Sequence, residues 1–361
     1  MSLSASIRKR LSPGFELDVS LAAPPGITMV FGASGSGKTT LLRCLAGLLR
    51  PDAGQITLEN RVVFDSTDGR DVPVPERKIG YVFQQLALFP NMSVAGNLEY
   101  GLPHLSVAAR RERIRAVAAS FRIAHLLPRR PAAISGGERQ RAALARSLVT
   151  DPALLLLDEP LSALDHTTKS RIMEDLRVWN TAHAIPIVYV THAHQEVFAL
   201  GERVVVLDQG RVLTEGATHE VMEAPTHEPL ARLAGFENVF DSTVVTRRAD
   251  AGTMQCRLAA SQTELEVPLS GTPPGRPVRI AIRAGDILLA TNEPRGLSAR
   301  NILRGRLQAL TREGPTVVAE VDAGVRFLAH LTPSAVETLH LSSGRPVWLI
   351  IKTHSCRIVS S

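Results

Sequence analysis

Two short stretches hold residues whose types and spacing suit phosphate chemistry. The first is GASGSGKT, Gly32 to Thr39, which fits the pattern Gly-x4-Gly-Lys-Ser/Thr in full. It follows the apolar run ITMVF and opens the helical pattern TTLLRCLAGLL. Glycines let a chain curl until successive backbone N–H groups face phosphate oxygens. Gly32, Ala33, Ser34, Gly35, Ser36 and Gly37 supply that cradle, with Thr40 in the next turn. Lys38 reaches the β- and γ-phosphates, and Thr39 offers a hydroxyl to Mg2+. The second stretch is LLLLDEP, Leu154 to Pro160, an apolar strand with two carboxylates at its polar end. Asp158 suits the Mg2+ shell, and Glu159 suits a general base for an attacking water.

Between them lies ISGGERQRAALARSL, Ile134 to Leu148. Ser135, Gly136 and Gly137 open a predicted helix, whose free N–H groups favour an anion. One chain therefore carries two anion-facing loops about a hundred residues apart.

The elements that position these loops read as α/β. GITMVFG, ALLLLDE, IPIVYVTH and RVVVLDQG are short continuous apolar runs, as expected of buried parallel strands. Helical patterns follow Lys38, Gly137 and His194, giving an α/β pattern with a mostly parallel sheet. Beyond Phe236 alternation takes over in TELEVPL, PVRIAIR, TVVAEVDAGVRFLAHL and PVWLIIK, separated by turn signals. That part reads as a small all-β barrel. APTHEP, ending at Pro229, marks the neighbourhood of the boundary, and TNEPRGLSARN divides the β region. The 361 residues suit two domains, and 44% hydrophobic content supports real cores. A net charge of +6, dispersed along the chain, is too small to argue for DNA binding. No apolar run spans a bilayer, and the start has no apolar signal region. Cys44, Cys256 and Cys356 show no metal or disulfide spacing, and Cys44 sits in an apolar helix pattern as a packed thiol.

ISGGERQR, set between the two phosphate motifs, resembles the signature of ABC-transporter ATPases. Other elements follow in that family's order. YVFQQLALFPNMSV resembles the segment with the glutamine loop, at Gln84. SALD, Ser162 to Asp165, resembles the loop after the carboxylates, and YVTHAHQE places His192 as the histidine switch. Ile134 for leucine, Glu138 for glutamine and AHQE after His192 are mild departures. The resemblance implies an α/β P-loop NTPase, the ABC ATPase cassette, with ATP and Mg2+ as cofactors. It implies head-to-tail dimers in which Ser135, Gly136 and Gly137 hold the partner's nucleotide. Catalysis would fall to Glu159, His192 and Gln84, and Mg2+ to Thr39, Gln84 and Asp158. Phe15 stands where the family places an adenine-stacking aromatic. Leu88, Phe89 and Met92 would offer an apolar groove to a permease helix.

In the tail, GLSARNILRGRLQAL (Gly296 to Leu310) and LIIKTHSCRI (Leu349 to Ile358) resemble the molybdate-binding Mop module of the TOBE family, a small OB-like barrel. Ser298, Arg300, Asn301, Lys352 and Ser355 would supply donors to a tetrahedral oxyanion. Lys352 is one of only five lysines. The expected organisation is an ATPase domain over 1–232, a β-rich connecting region over 233–291 and a Mop/TOBE barrel over 292–361. The implied function is ATP hydrolysis for a molybdate ABC importer, as a homodimer at the cytoplasmic face of the inner membrane. Its partners would be a permease dimer and, indirectly, an extracytoplasmic molybdate-binding protein, with molybdate possible in the tail and no nucleic acid. Alternatives are a sulfate, ferric-ion or polyamine importer, or a soluble ABC ATPase unconnected to transport.

Overall fold

The computed structural model describes residues 2–223, 228–314 and 316–359. Residues 224–227, within the expected boundary stretch APTHEP, lie outside the described residues. Contacts divide the chain into two compact units, Met1–Thr218 and His219–Ser361. The expected edge of the ATPase domain was later, at residue 232.

The first unit is built on one eleven-stranded sheet. Five strands are parallel, in the order Arg203–Asp208, Gly26–Phe31, Pro186–Thr191, Leu154–Asp158 and Ile79–Val82. Leu154–Asp158 and Pro186–Thr191 are buried at every position, which explains their continuous apolar sequences. The remaining six strands form an arm whose pairings are antiparallel, apart from one parallel bridge between Phe15–Ala23 and Arg211–Ala217. Its first member, Leu3–Ser12, alternates buried Leu3, Ala5 and Ile7 with exposed neighbours, as one covered face requires. The helix Lys38–Ala46 packs Leu41, Leu42, Cys44 and Leu45 into the core under the sheet. Cys44 is fully buried, and burial pushes its thiol up to about 11, so it is packed and inert.

Parallel register sets the site. Phe31 pairs with Thr191, Asp158 with Val190 and Val82 with Leu157. The strand ends leading to Gly32, Glu159, His192 and Gln84 therefore line up along one sheet edge, where open α/β sheets bind ligands.

The second unit carries two five-stranded antiparallel sheets. They exchange strands across the expected division at 291/292. Leu288–Ala290 pairs with Pro346–Ile351 in one sheet, and Arg357–Val359 pairs with Pro277–Ile282 in the other. Val244 and Ile280 share one core with Leu307, Phe327 and Leu349. The two expected β regions are thus one folded body, because each completes the other's sheet. Among the described residues no helix is long and apolar enough to cross a membrane.

Candidate active site

The loop after Phe31 turns through Gly35 and Gly37, with φ of 82° and 101°. At Gly32 a β-carbon would meet Leu207 O at 2.2 Å, so only glycine lets the loop lie on the neighbouring strand. Gly37 caps the helix Lys38–Ala46, and Phe15 lies against it. The loop is curled around its own ammonium. Lys38 Nζ donates to Gly32 O at 2.8 Å and Ala33 O at 2.7 Å. Burial lowers the Lys38 pKa, against the pull of Glu159 and Asp158. The Ser36 hydroxyl is buried with no hydrogen-bond partner among the described residues, an orphan beside the cradle. A cavity of about 520 Å3 opens over this loop, lined by Phe15, Ser34, Gly35, Lys38, Thr39, Thr40, Gln84 and Glu159.

Asp158 is buried at the end of its strand. Thr39 Oγ1 donates to its Oδ1 at 3.0 Å, and the Tyr81 hydroxyl donates to its Oδ2 at 3.2 Å. Burial raises its pKa, because these neutral hydroxyls compensate the charge only in part. The set fits Mg2+, a hard cation that takes oxygen donors and is usually held by one or two carboxylates plus substrate phosphates. Tyr81 was not singled out in the sequence. Its position on the strand Ile79–Val82 suggests core, and only the register to Leu156 aims it at the next strand's carboxylate.

Glu159 follows with φ 45°, a left-handed conformation held by its N–H to Val190 O at 3.0 Å. His192 Nδ1 and Glu159 Oε1 lie 2.9 Å apart. Gln84 is exposed at the cavity mouth. Asp158, Glu159, Lys38, Thr39, Gln84 and His192 are therefore gathered at one place.

Ser135, Gly136 and Gly137 are elsewhere. Ser135 caps the helix Gly136–Leu148 in a capping box: Glu138 N donates to Ser135 Oγ at 3.3 Å, and Ser135 N donates to Glu138 Oε2 at 2.7 Å. The Ser135 hydroxyl also donates to Glu138 Oε2, at 2.9 Å. Glu138, the departure from glutamine, closes this box, and the Ser135 hydrogen bonds lower its pKa. The triplet lines a separate cavity of about 380 Å3 with Arg141, Asp165 and Thr168. That cavity shares no lining residue with the one over the phosphate loop.

Leu86 and Ala87 both have positive φ, 58° and 47°. Arg146, from the helix that Ser135 begins, donates to both carbonyls, at 3.2 and 2.7 Å, and its guanidinium lies 5.3 Å from the Phe89 ring centre. Leu88 and Phe89 are half-buried, whereas Met92 and Tyr100 are exposed. Arg146→Ala removes both donors and frees the loop. The expected result is faster hydrogen exchange at residues 84–89, with little change in the strand Leu154–Asp158.

The five tail residues do not all serve as free donors. Asn301 is 3% exposed and its amide is engaged: it accepts from Glu266 N at 2.6 Å and donates to Glu266 O at 2.9 Å. It pins one sheet to the other, and its second N–H meets the buried Cys356 Sγ at 3.8 Å, so it is removed from the oxyanion set. Asn301→Ala leaves both backbone groups unpaired, which should cost about 2 kcal/mol, read as a lower urea midpoint. Ser298, Arg300 and Lys352 are exposed and Ser355 is half-buried. Asn301 pairs with Ile351 across the sheet, which sets Arg300 and Lys352 beside that pair.

Residues 17–162 match the family described as ABC transporter, and 297–358 match the TOBE domain. Among solved structures, the dimeric MJ0796, a bacterial ABC transporter cassette, is 28% identical. It aligns over 60% of this chain and 99% of its own, with a TM-score of 0.52. The fold is that of an ABC-type ATPase. Along nearly the whole chain, the molybdenum import ATP-binding protein ModC of Rhizobium etli is 40% identical, over 98% of this chain and 99% of its own. ModC of Mesorhizobium japonicum is 41% identical over 98% and 96%, and ModC of Vibrio parahaemolyticus 35% over 94% and 92%. The chain belongs to this family of ABC importer ATP-binding subunits, which are ATP hydrolases.

Proposed function

We propose that two copies of this chain close head to tail on ATP and drive molybdate import through a separate permease dimer at the cytoplasmic face of the inner membrane. The observation that supports this reading is the separation of the two anion-facing loops into cavities with no residue in common. A signature triplet set in a cavity of its own is free to complete another chain's site. That the solved MJ0796 cassette is dimeric supports association of two copies.

In this reading Phe15 stacks on adenine, and backbone N–H groups from Gly35 to Thr39 receive the phosphates. Lys38 leaves the carbonyls of Gly32 and Ala33 for the β- and γ-phosphates. Thr39, Asp158 and Gln84 would hold Mg2+, which neutralises developing phosphate charge when bound. Glu159 takes a proton from the attacking water, and His192 orients Glu159 while facing the γ-phosphate. Ser135, Gly136 and Gly137 present the helix start to the γ-phosphate of the other copy. ATP binding favours the closed pair, and hydrolysis removes that preference. The exposed Met92 and Tyr100, with Leu88 and Phe89 behind them, face the permease. An extracytoplasmic binding protein delivers the anion.

Ser135→Arg tests the arrangement. ATP affinity of the single copy should stay unchanged, while ATP-driven association in size-exclusion chromatography disappears. Equal association of variant and wild type would remove the role given to the triplet. For the tail, Arg300 and Lys352 with Ser298 and Ser355 are the proposed molybdate donors. Calorimetry of the full chain should detect molybdate, and Lys352→Ala should weaken it about tenfold or more. No heat with either molybdate or tungstate would leave the tail as a dimerisation platform.

A further inference from the structure

His192 is exposed at the end of its strand, yet its role demands a fixed position. What fixes it lies beneath. Glu196, in the first turn of the helix His194–Leu200, is 3% exposed. Its Oε2 accepts from the Thr191 hydroxyl at 2.8 Å and from the fully buried Tyr189 hydroxyl at 3.0 Å. Thr191 Oγ1 in turn accepts from Ala193 N at 3.0 Å. Both neighbours of His192 are thereby tied to one carboxylate. Its other oxygen, Oε1, takes Lys169 Nζ at 3.1 Å. Lys169 stands on the helix His166–His183, whose cap is Asp165, the last residue of the loop Ser162–Asp165.

A buried ion pair is weak as a source of stability, since well-packed apolar residues often do as well. Here it connects two functional loops, and neither residue lines the cavity over the phosphate loop. We propose that Glu196 is a positioning residue for His192, and that Lys169 links that position to the Ser162–Asp165 loop at the dimer face. The inference rests on the role given to His192 above. Lys169 and Glu196 are 27 residues apart. Glu196 closes the stretch YVTHAHQE but is given no role there, and Lys169 stands out only as one of five lysines.

The test is a double-mutant cycle on the full chain, with kcat, KM and fluorescent-nucleotide affinity read for each variant. Glu196→Gln keeps the shape and loses the charge. It should lower kcat about tenfold with nucleotide affinity unchanged, since small displacements of a reacting group carry such losses. Lys169→Arg should retain most of the rate and Lys169→Met should not. The His192→Ala, Glu196→Gln double variant should be no slower than His192→Ala alone. If the two losses multiply, Glu196 does not act through His192 and the proposal falls. A reduced rate in His192→Ala beside a full rate in Glu196→Gln overturns the positioning role and leaves the His192 assignment standing. A full rate in His192→Ala overturns both. Lys169→Met alters the more exposed end of the pair and carries the same cycle if Glu196→Gln does not fold.

Discussion

Glu159→Gln should bind ATP as the wild type does and turn it over about 10²–10⁴ times more slowly, the usual contribution of a positioned general base. The amide matches the carboxylate in shape, and the backbone N–H bond to Val190 O that holds the left-handed turn does not involve the side chain. His192 Nδ1 keeps an oxygen to pair with. What disappears is the only change the reaction needs, an acceptor for the water's proton. Because hydrolysis is what releases the closed pair, ATP-bound dimers should accumulate. Single-turnover kinetics with labelled ATP, alongside light scattering, checks both halves. Near wild-type hydrolysis would reassign the base.

Lys38→Ala should lose binding as well as rate. Its ammonium has left water for a loop that offers it two carbonyls, and burial already disfavours its charge. Polyphosphate gives it better partners, so the exchange favours ATP. Charge-assisted hydrogen bonds contribute about 1.5–3 kcal/mol each, so affinity should fall about 10- to 100-fold. Without Lys38 the carbonyls of Gly32 and Ala33 also lose their donor, which loosens the loop. Titration with a fluorescent ATP analogue measures the loss. An unchanged affinity with reduced turnover would confine Lys38 to the chemical step.

The parallel strands were readable because a strand covered on both faces must be apolar throughout, as Leu154–Asp158 is. Gly32–Thr39, Asp158, Glu159 and His192 were readable for a related reason: each ends or follows such a strand, and the register lines up those ends. The antiparallel arm was harder. Leu3–Ser12 alternates with period two, but Ala5 is a weak apolar signal and the alternation gives way to the charged run Arg8, Lys9 and Arg10. Tyr81 could not be found, since its partner is 77 residues away and only strand order brings them together. The strand exchange in the tail was invisible because Leu288–Ala290 and Arg357–Val359 are three residues long, too short for any periodicity. Asn301 misled for a different reason. An amide in a motif looks like a ligand donor until the backbone of Glu266 is seen to occupy it.

The account depends most on one nucleotide being held by loops from two chains. Ser34→Cys and Ser135→Cys, placed together in the Glu159→Gln background, measure this directly. The native cysteines are buried and do not interfere. Mild oxidation with ATP should give a disulfide-linked dimer within minutes, and none with ADP or when Lys38→Ala is added. A double-cysteine variant that binds ATP yet forms no ATP-dependent crosslink between copies would contradict it.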